Sequence, residues 1–124
     1  MSTVDLTLED FEKTIEDNGI VFVDFWADWC APCRQFAPVY EEASDEHEDI
    51  VFGKVDTESQ QQLAAMAQIT SIPTLMVFRD GIAIFRQAGA LPAPVFDDLI
   101  EQVRAVDMDD VRRQIKEQEE KESK

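Results

Sequence analysis

The stretch Ile20-Val21-Phe22-Val23-Asp24-Phe25-Trp26-Ala27-Asp28-Trp29-Cys30-Ala31-Pro32-Cys33 decides how the rest of this 124-residue chain is read. Its first eight residues, 20–27, are β-branched and aromatic without two-fold alternation of polarity, which predicts a central strand buried on both faces. The cysteines follow at once. Residues 32–48 carry Phe36, Val39, Tyr40 and Ala43 on one stripe with acidic residues opposite. That is the pattern of an amphipathic helix, with Pro38 expected to kink it.

Working outward, Leu8, Phe11 and Ile15 recur at helical spacing over 8–17, with Thr7 and Asp10 resembling a capping box. Downstream, IVFGKVD at 50–56 predicts a second strand, and Leu63, Met66 and Ala67 mark a helix over 59–68. Two strands, 74–79 and 82–88, are separated by Asp80-Gly81, a hairpin turn signal. Pro92 and Pro94 open a last helical stripe of Val95, Phe96, Leu99, Ile100 and Val103, ending near Val106. Strands alternating with helices give parallel neighbours through right-handed crossovers, and the terminal hairpin adds an antiparallel pair. The expected class is α/β, a central mixed β-sheet flanked by helices.

Charge narrows the function classes. With 27 acidic against 11 basic side chains, the formal net charge is −16, which nucleic-acid phosphates and anionic headgroups would repel. No nucleic-acid or membrane partner is therefore expected. The length and 44% hydrophobic content fit one domain. Residues 1–20 are acidic and lack a signal-peptide core, and no apolar run approaches the ~18 residues of a membrane span, so a cytoplasmic location is expected. Residues 107–124 hold seven acidic and five basic residues and no aromatic one. They read as a charged, partly helical extension of a domain over 1–106, with Asp109–Arg113 and Glu117–Lys121 as surface pairs. A docking segment is the alternative for this tail.

Cys30 and Cys33 are the only cysteines, too few for a secreted disulfide framework. Two intervening residues at a strand-to-helix turn let the sulfurs reach bonding distance with little backbone movement. At the helix start, unsatisfied N–H groups and the helix dipole favour a thiolate, which points to Cys30 as the attacking sulfur. Pro32 has no N–H to lose there and presets φ. Cys33, one turn in, is expected to be less exposed and to act second. A zinc half-site and two incidental buried cysteines are the competing readings; His47 is the only histidine, and it lies fourteen residues past Cys33.

The segments VDFWADWCAPC (23–33), GKVD (53–56), SIPTLMVFRDG (71–81) and GA (89–90), in that order, resemble the thioredoxin family over residues 4–106. Thioredoxins are themselves the standard example of a CxxC redox motif. The resemblance implies a thioredoxin fold and a protein-disulfide reductase working through a reversible Cys30–Cys33 disulfide, with no bound cofactor. It implies protein disulfides as substrates, an NADPH-dependent flavoprotein thioredoxin reductase as electron donor, and a monomer.

By position, Cys30 matches the family's nucleophile and Cys33 its resolving cysteine. Asp24 matches an aspartate that serves the resolving thiol as acid and base. Apolar neighbours favour its burial, which raises a carboxyl pKa, against the plain reading of a solvated strand-edge aspartate. Lys54 matches a lysine beside that aspartate, with an ordinary solvated strand lysine as the alternative. Pro73 matches a cis-proline that faces the cysteines and would present the backbone of Ile72 to an extended substrate. Trp29, Ala31, Ile72 and Gly89 match the apolar rim, while Trp26 reads as packing. Ala31 stands where the commonest family motif has glycine, and this bears on the balance of dithiol and disulfide. A disulfide isomerase or oxidase, and a redox-independent binding module, are the other function classes.

Overall fold

The computed structural model describes residues 2–123, so Met1 and Lys124, the outer ends of the two expected segments, lie outside it. In chain order the elements are β1 (Val4–Asp5), α1 (Phe11–Asp17), β2 (Ile20–Trp26), α2 (Ala31–Glu46), β3 (Val51–Asp56), α3 (Gln61–Met66), β4 (Thr74–Arg79), β5 (Ile82–Ala88), α4 (Ala93–Ala105) and α5 (Met108–Glu122). The sheet order is β1-β3-β2-β4-β5. β2 pairs parallel with β3 and antiparallel with β4, and β4–β5 is an antiparallel hairpin. This is the mixed, helix-flanked sheet of a thioredoxin fold.

β2 is the centre because both its faces are apolar. Val21, Val23 and Phe25 join Leu6, Ile15, Val55 and Leu63 in one core, and Phe22 joins Phe36, Tyr40, Phe52, Phe96 and Ile100 in the other. The two-residue period of a strand therefore turns Asp24 to the same face as Phe22, towards α2. Phe22 and Asp24 are register partners of Phe52 and Lys54, so Lys54 shares that face. Gly53 separates them and is packed against Leu6, whose side chain occupies the space a Cβ would take. Asp80 and Gly81 both have positive φ, 52° and 81°, as a tight hairpin turn of the primed type requires.

Several expectations need correction. β1 carries no sequence signal; it is two exposed residues at the sheet edge, too short for a pattern. The first helix begins at Phe11 rather than Leu8. Only half of a capping box forms, the Thr7 N–H donating to Asp10 Oδ1 at 2.7 Å, and Asp10 rather than Thr7 is the N-cap. α2 runs from Ala31 to Glu46 rather than over 32–48, with Pro38 inside it. In α4, Phe96, Ile100 and Val103 are buried, but Val95 is exposed because α4 meets the sheet along a narrower stripe than the sequence suggested.

Met108–Glu122 form α5, capped by Asp107, whose side chain accepts from the Asp110 N–H. Its ion pairs are Asp109–Arg112 and Asp110–Arg113, at i,i+3, instead of Asp109–Arg113. The physical reason is Asp80 at the β4–β5 turn, which draws the Arg112 guanidinium to 3.1 Å and leaves Arg113 to Asp110. No ion pair joins Glu117 to Lys121 among the described residues.

Candidate active site

Cys30 is the N-cap of α2, with extended backbone at φ −89° and ψ 109°, and Pro32 occupies the first turn. Cys30 and Cys33 are joined by a disulfide across a Cα–Cα distance of 5.2 Å. The Cys33 N–H donates to Cys30 Sγ at 3.2 Å. In the dithiol state the same N–H and the start of α2 would favour a thiolate at Cys30. The two cysteines are almost equally covered, 4% and 3% exposed, so the expected difference in exposure is slight. Of the two, Cys30 alone stands at the helix start, as its N-cap.

Ile72-Pro73 is a cis peptide, and the Ile72 carbonyl oxygen lies 3.6 Å from Cys30 Sγ. Pro73 is buried and Ile72 half-buried, while Ala31 and Pro32 are exposed beside the disulfide. Gly89, at φ 102°, donates its N–H to Pro73 O at 2.8 Å, and this conformation favours glycine. Trp29 is 67% exposed, and its indole N–H donates to Glu58 at 2.6 Å. The fold thus brings Trp29, Cys30, Ile72 and Pro73 together.

Beside them runs an open cleft of about 370 Å³, lined by Trp29, Thr57, Ala64, Ile69, Thr70, Ser71 and Ile72. Sequence reading did not include Thr57, Glu58, Ile69, Thr70 or Ser71 in the site. In the sequence only Ser71, which precedes Ile72-Pro73, signals this side of the site. A larger groove of about 410 Å³ lies among α1, α3 and β4 and contains neither cysteine.

Asp24 is 1% exposed, and neither carboxylate oxygen has a protein hydrogen-bond partner. Burial pushes its pKa from the ordinary 3.8 to about 7, while the nearby Lys54 ammonium pulls in the opposite direction. Asp24 lines a small cavity of about 110 Å³ together with Trp26, Ala27, Asp28, Cys33, Arg34, Ala37 and Lys54. Asp24 and Cys33 thus share a space wide enough for water. Lys54 lies over the Trp26 ring at 5.0 Å and pairs with Glu41 at 3.8 Å. Trp26 packs rather than joining the exposed rim. Glu41 reads in sequence as part of the solvated face of α2, yet it is half-buried.

The buried Tyr40 hydroxyl donates to Gly53 O at 2.7 Å, and burial, with Asp24 and Glu41 nearby, holds its pKa well above the ordinary phenol value. Among the described residues no group of three or more His, Cys, Asp or Glu side chains could hold a metal ion. The two cysteines are spent on each other. No helix among the described residues is long and apolar enough to cross a membrane.

Comparison with known proteins bears on the same residues. The thioredoxin family model matches residues 2–105. A Streptomyces coelicolor protein described as "Putative thioredoxin 2" is 55% identical over 117 residues, covering 94% of this chain and 87% of its own. A Staphylococcus aureus thioredoxin is 41% identical over 95 residues, 74% of this chain and 88% of its own. Among solved structures, oxidised thioredoxin from Plasmodium falciparum superposes with a TM-score of 0.75 at 35% identity, covering 84% of this chain and all of that one (100%).

Proposed function

This chain belongs to the thioredoxin family, and from that premise we propose how its residues share the work of a thiol–disulfide oxidoreductase. The chain is a dithiol–disulfide oxidoreductase acting on disulfide-containing proteins, and the Cys30–Cys33 disulfide at the start of α2 is the observation that carries this.

In the proposed cycle the Cys30 thiolate attacks one sulfur of a partner disulfide. A Cys30–partner bond forms, the partner S–S bond breaks, and the second partner sulfur leaves as a thiolate that takes a proton from solvent. Cys33 then gives its thiol proton to the Asp24 carboxylate and attacks Cys30 Sγ. The Cys30–Cys33 bond forms, the mixed disulfide breaks, and the first partner sulfur leaves as a thiolate. Two electrons have passed to the partner. The buried carboxyl, poised near neutrality and sharing a cavity with Cys33, supports the acid–base role. An extended partner segment would lie along Trp29 and Ile72, with Pro73 and Gly89 shaping the floor and Ala31 and Pro32 the rim.

Re-reduction is assigned to an NADPH-dependent flavoprotein thioredoxin reductase, and the chain is read as a cytoplasmic monomer. The redox domain is placed at 1–106 and α5 in a separate segment, 107–124. No cofactor has a task on the chain itself.

Two variants test the reading. Cys33→Ser should accumulate a stable mixed disulfide with a protein substrate, visible by non-reducing electrophoresis, and Cys30→Ser should form none. Equilibration against glutathione fixes the direction: a strongly reducing potential fits a reductase, and one more oxidising than the cytosolic pool would make the chain an oxidase or isomerase.

A further inference from the structure

Glu41 is a half-buried charge to which the cycle above gives no task. It follows Tyr40 on α2, on the side facing β3. Its Oε1 accepts a 2.8 Å hydrogen bond from Thr3 Oγ1 and lies 3.8 Å from Lys54 Nζ. Its Oε2 is buried with no protein hydrogen-bond donor. The Glu41 and Lys54 side chains are 24% and 16% exposed, so their charges are screened far less than a surface pair.

Lys54 is also the register partner of Asp24 and lines the same cavity as Asp24 and Cys33. One ammonium therefore stands between two carboxylates. An ammonium committed to Glu41 stabilises the Asp24 carboxylate less than a free one would, because the two nearby opposite charges largely cancel at Asp24. The remaining charged or titratable groups around Asp24 and Lys54 are Cys33, Arg34 and Tyr40 on α2, Asp28 in the preceding loop, Asp56 on β3 and Asp5 on β1, an exposed register partner of Lys54. Tyr40 is engaged with Gly53 O and Arg34 with Asp28 O, and β4 presents only Thr74, Leu75 and Met76 opposite Asp24 and its neighbours.

We propose that Glu41 is a positioning residue for the resolving half-reaction, holding the Lys54 ammonium so that Asp24 remains a strong enough base to take the Cys33 proton. The proposal rests on the acid–base reading of Asp24. It adds a third member, on the helix that carries both cysteines, to the Asp24–Lys54 pair. The opposing actions of burial and Lys54 on Asp24 are in keeping with it, since whatever restrains Lys54 leaves burial the stronger influence.

The test uses the full chain with Glu41→Gln, which keeps the shape and removes the charge, and Glu41→Asp, which restores the charge. Reduction of an aromatic disulfide releases one chromophoric thiolate on Cys30 attack and a second on resolution, so stopped-flow reads the two steps separately. In Glu41→Gln the acid limb of the second step should move down by roughly 0.5 to 1 pH unit, and its alkaline plateau should fall, because a weaker base accepts the proton less readily. The first step should not change, and Glu41→Asp should return the limb towards its original position. The Asp24 carboxyl is followed in parallel by ¹³C NMR, with Asp24→Asn identifying its resonance. A titration that does not move in Glu41→Gln overturns the coupling itself. A titration that moves while resolution keeps its profile overturns the acid–base role of Asp24, and with it the part of Glu41 in turnover.

Discussion

Asp24 and Lys54 are register partners on adjacent parallel strands, yet the lysine ammonium makes its ion pair with Glu41, and neither oxygen of Asp24 has a hydrogen-bond donor. A buried carboxyl without a direct partner titrates far above its unfolded value, here from 3.8 to about 7. Between these two values the folded protein binds a proton that the unfolded chain has lost. Asp24 therefore makes stability fall as pH rises through that window, and the loss is complete above the folded value. Relative to wild type, Asp24→Asn should be near neutral at pH 4 and more stable at pH 8, by an amount on the order of 4 kcal/mol at most. Denaturant unfolding of both oxidised proteins at the two pH values measures it. A difference that does not vary with pH would show that Asp24 is not raised.

Trp29 and Glu58 form a tie that can be cut without touching the core. Both are exposed, and the 2.6 Å hydrogen bond between them holds the indole beside the cleft that ends at Ile72. Losing the tie frees a large side chain that must be ordered again when a substrate binds, at about 0.5–1.5 kcal/mol. Glu58→Ala should raise KM for a protein disulfide by roughly two- to ten-fold with kcat unchanged, while stability shifts by less than about 0.5 kcal/mol. Trp29 fluorescence anisotropy should fall in the free protein. An unchanged KM would show that Trp29 is positioned by its backbone alone.

What the sequence revealed and what it hid separate along one physical line. The central strand was legible because burial on both faces leaves a continuous apolar run, and Asp24 stood out as its one charged residue. The cysteine pair was legible because its chemistry is local, at a separation of 3. Glu58 was not, because it meets Trp29 from 29 residues away. Glu41 was hidden differently: its helical position reads as solvated, and only the close approach of Thr3 and Lys54 covers it. Arg112 shows the same limit, since its choice of Asp109 depends on Asp80, at a distant turn.

Gly53 is required by packing rather than by backbone conformation. It sits between Phe52 and Lys54 on β3, opposite both Val4 and Val23, and the Leu6 side chain fills the space a Cβ would need. Gly53→Ala should push Leu6 out of its cluster and cost roughly 1–3 kcal/mol, as overpacking of a filled core does. Gly53→Ala combined with Leu6→Ala should lose less than the sum of the two single changes, because the clash disappears with the leucine side chain. A double-mutant cycle by chemical unfolding measures this, and full additivity would rule the clash out.

The last helix is attached at its beginning and free beyond it. Met108 is buried, Arg112 reaches Asp80, and the Arg79 guanidinium donates to the Val103 and Val106 carbonyls at 2.7 and 3.5 Å, tying the α4–α5 junction to the sheet. Past Val111 every described residue is exposed, Ile115 included. The exposed pairs on this helix are screened by solvent and add little, so the holding energy is concentrated at Met108. Met108→Ala should cost about 2 kcal/mol or more, and Ile115→Ala should stay within about 0.5 kcal/mol. Hydrogen exchange should show protection falling along α5 from its first turns towards Glu122. Neither substitution should alter the rate of disulfide reduction, since no residue of α5 lines the cavity or cleft beside the cysteines. A slower reduction in Ile115→Ala at unchanged stability would instead give the exposed face of α5 a part in binding the partner protein.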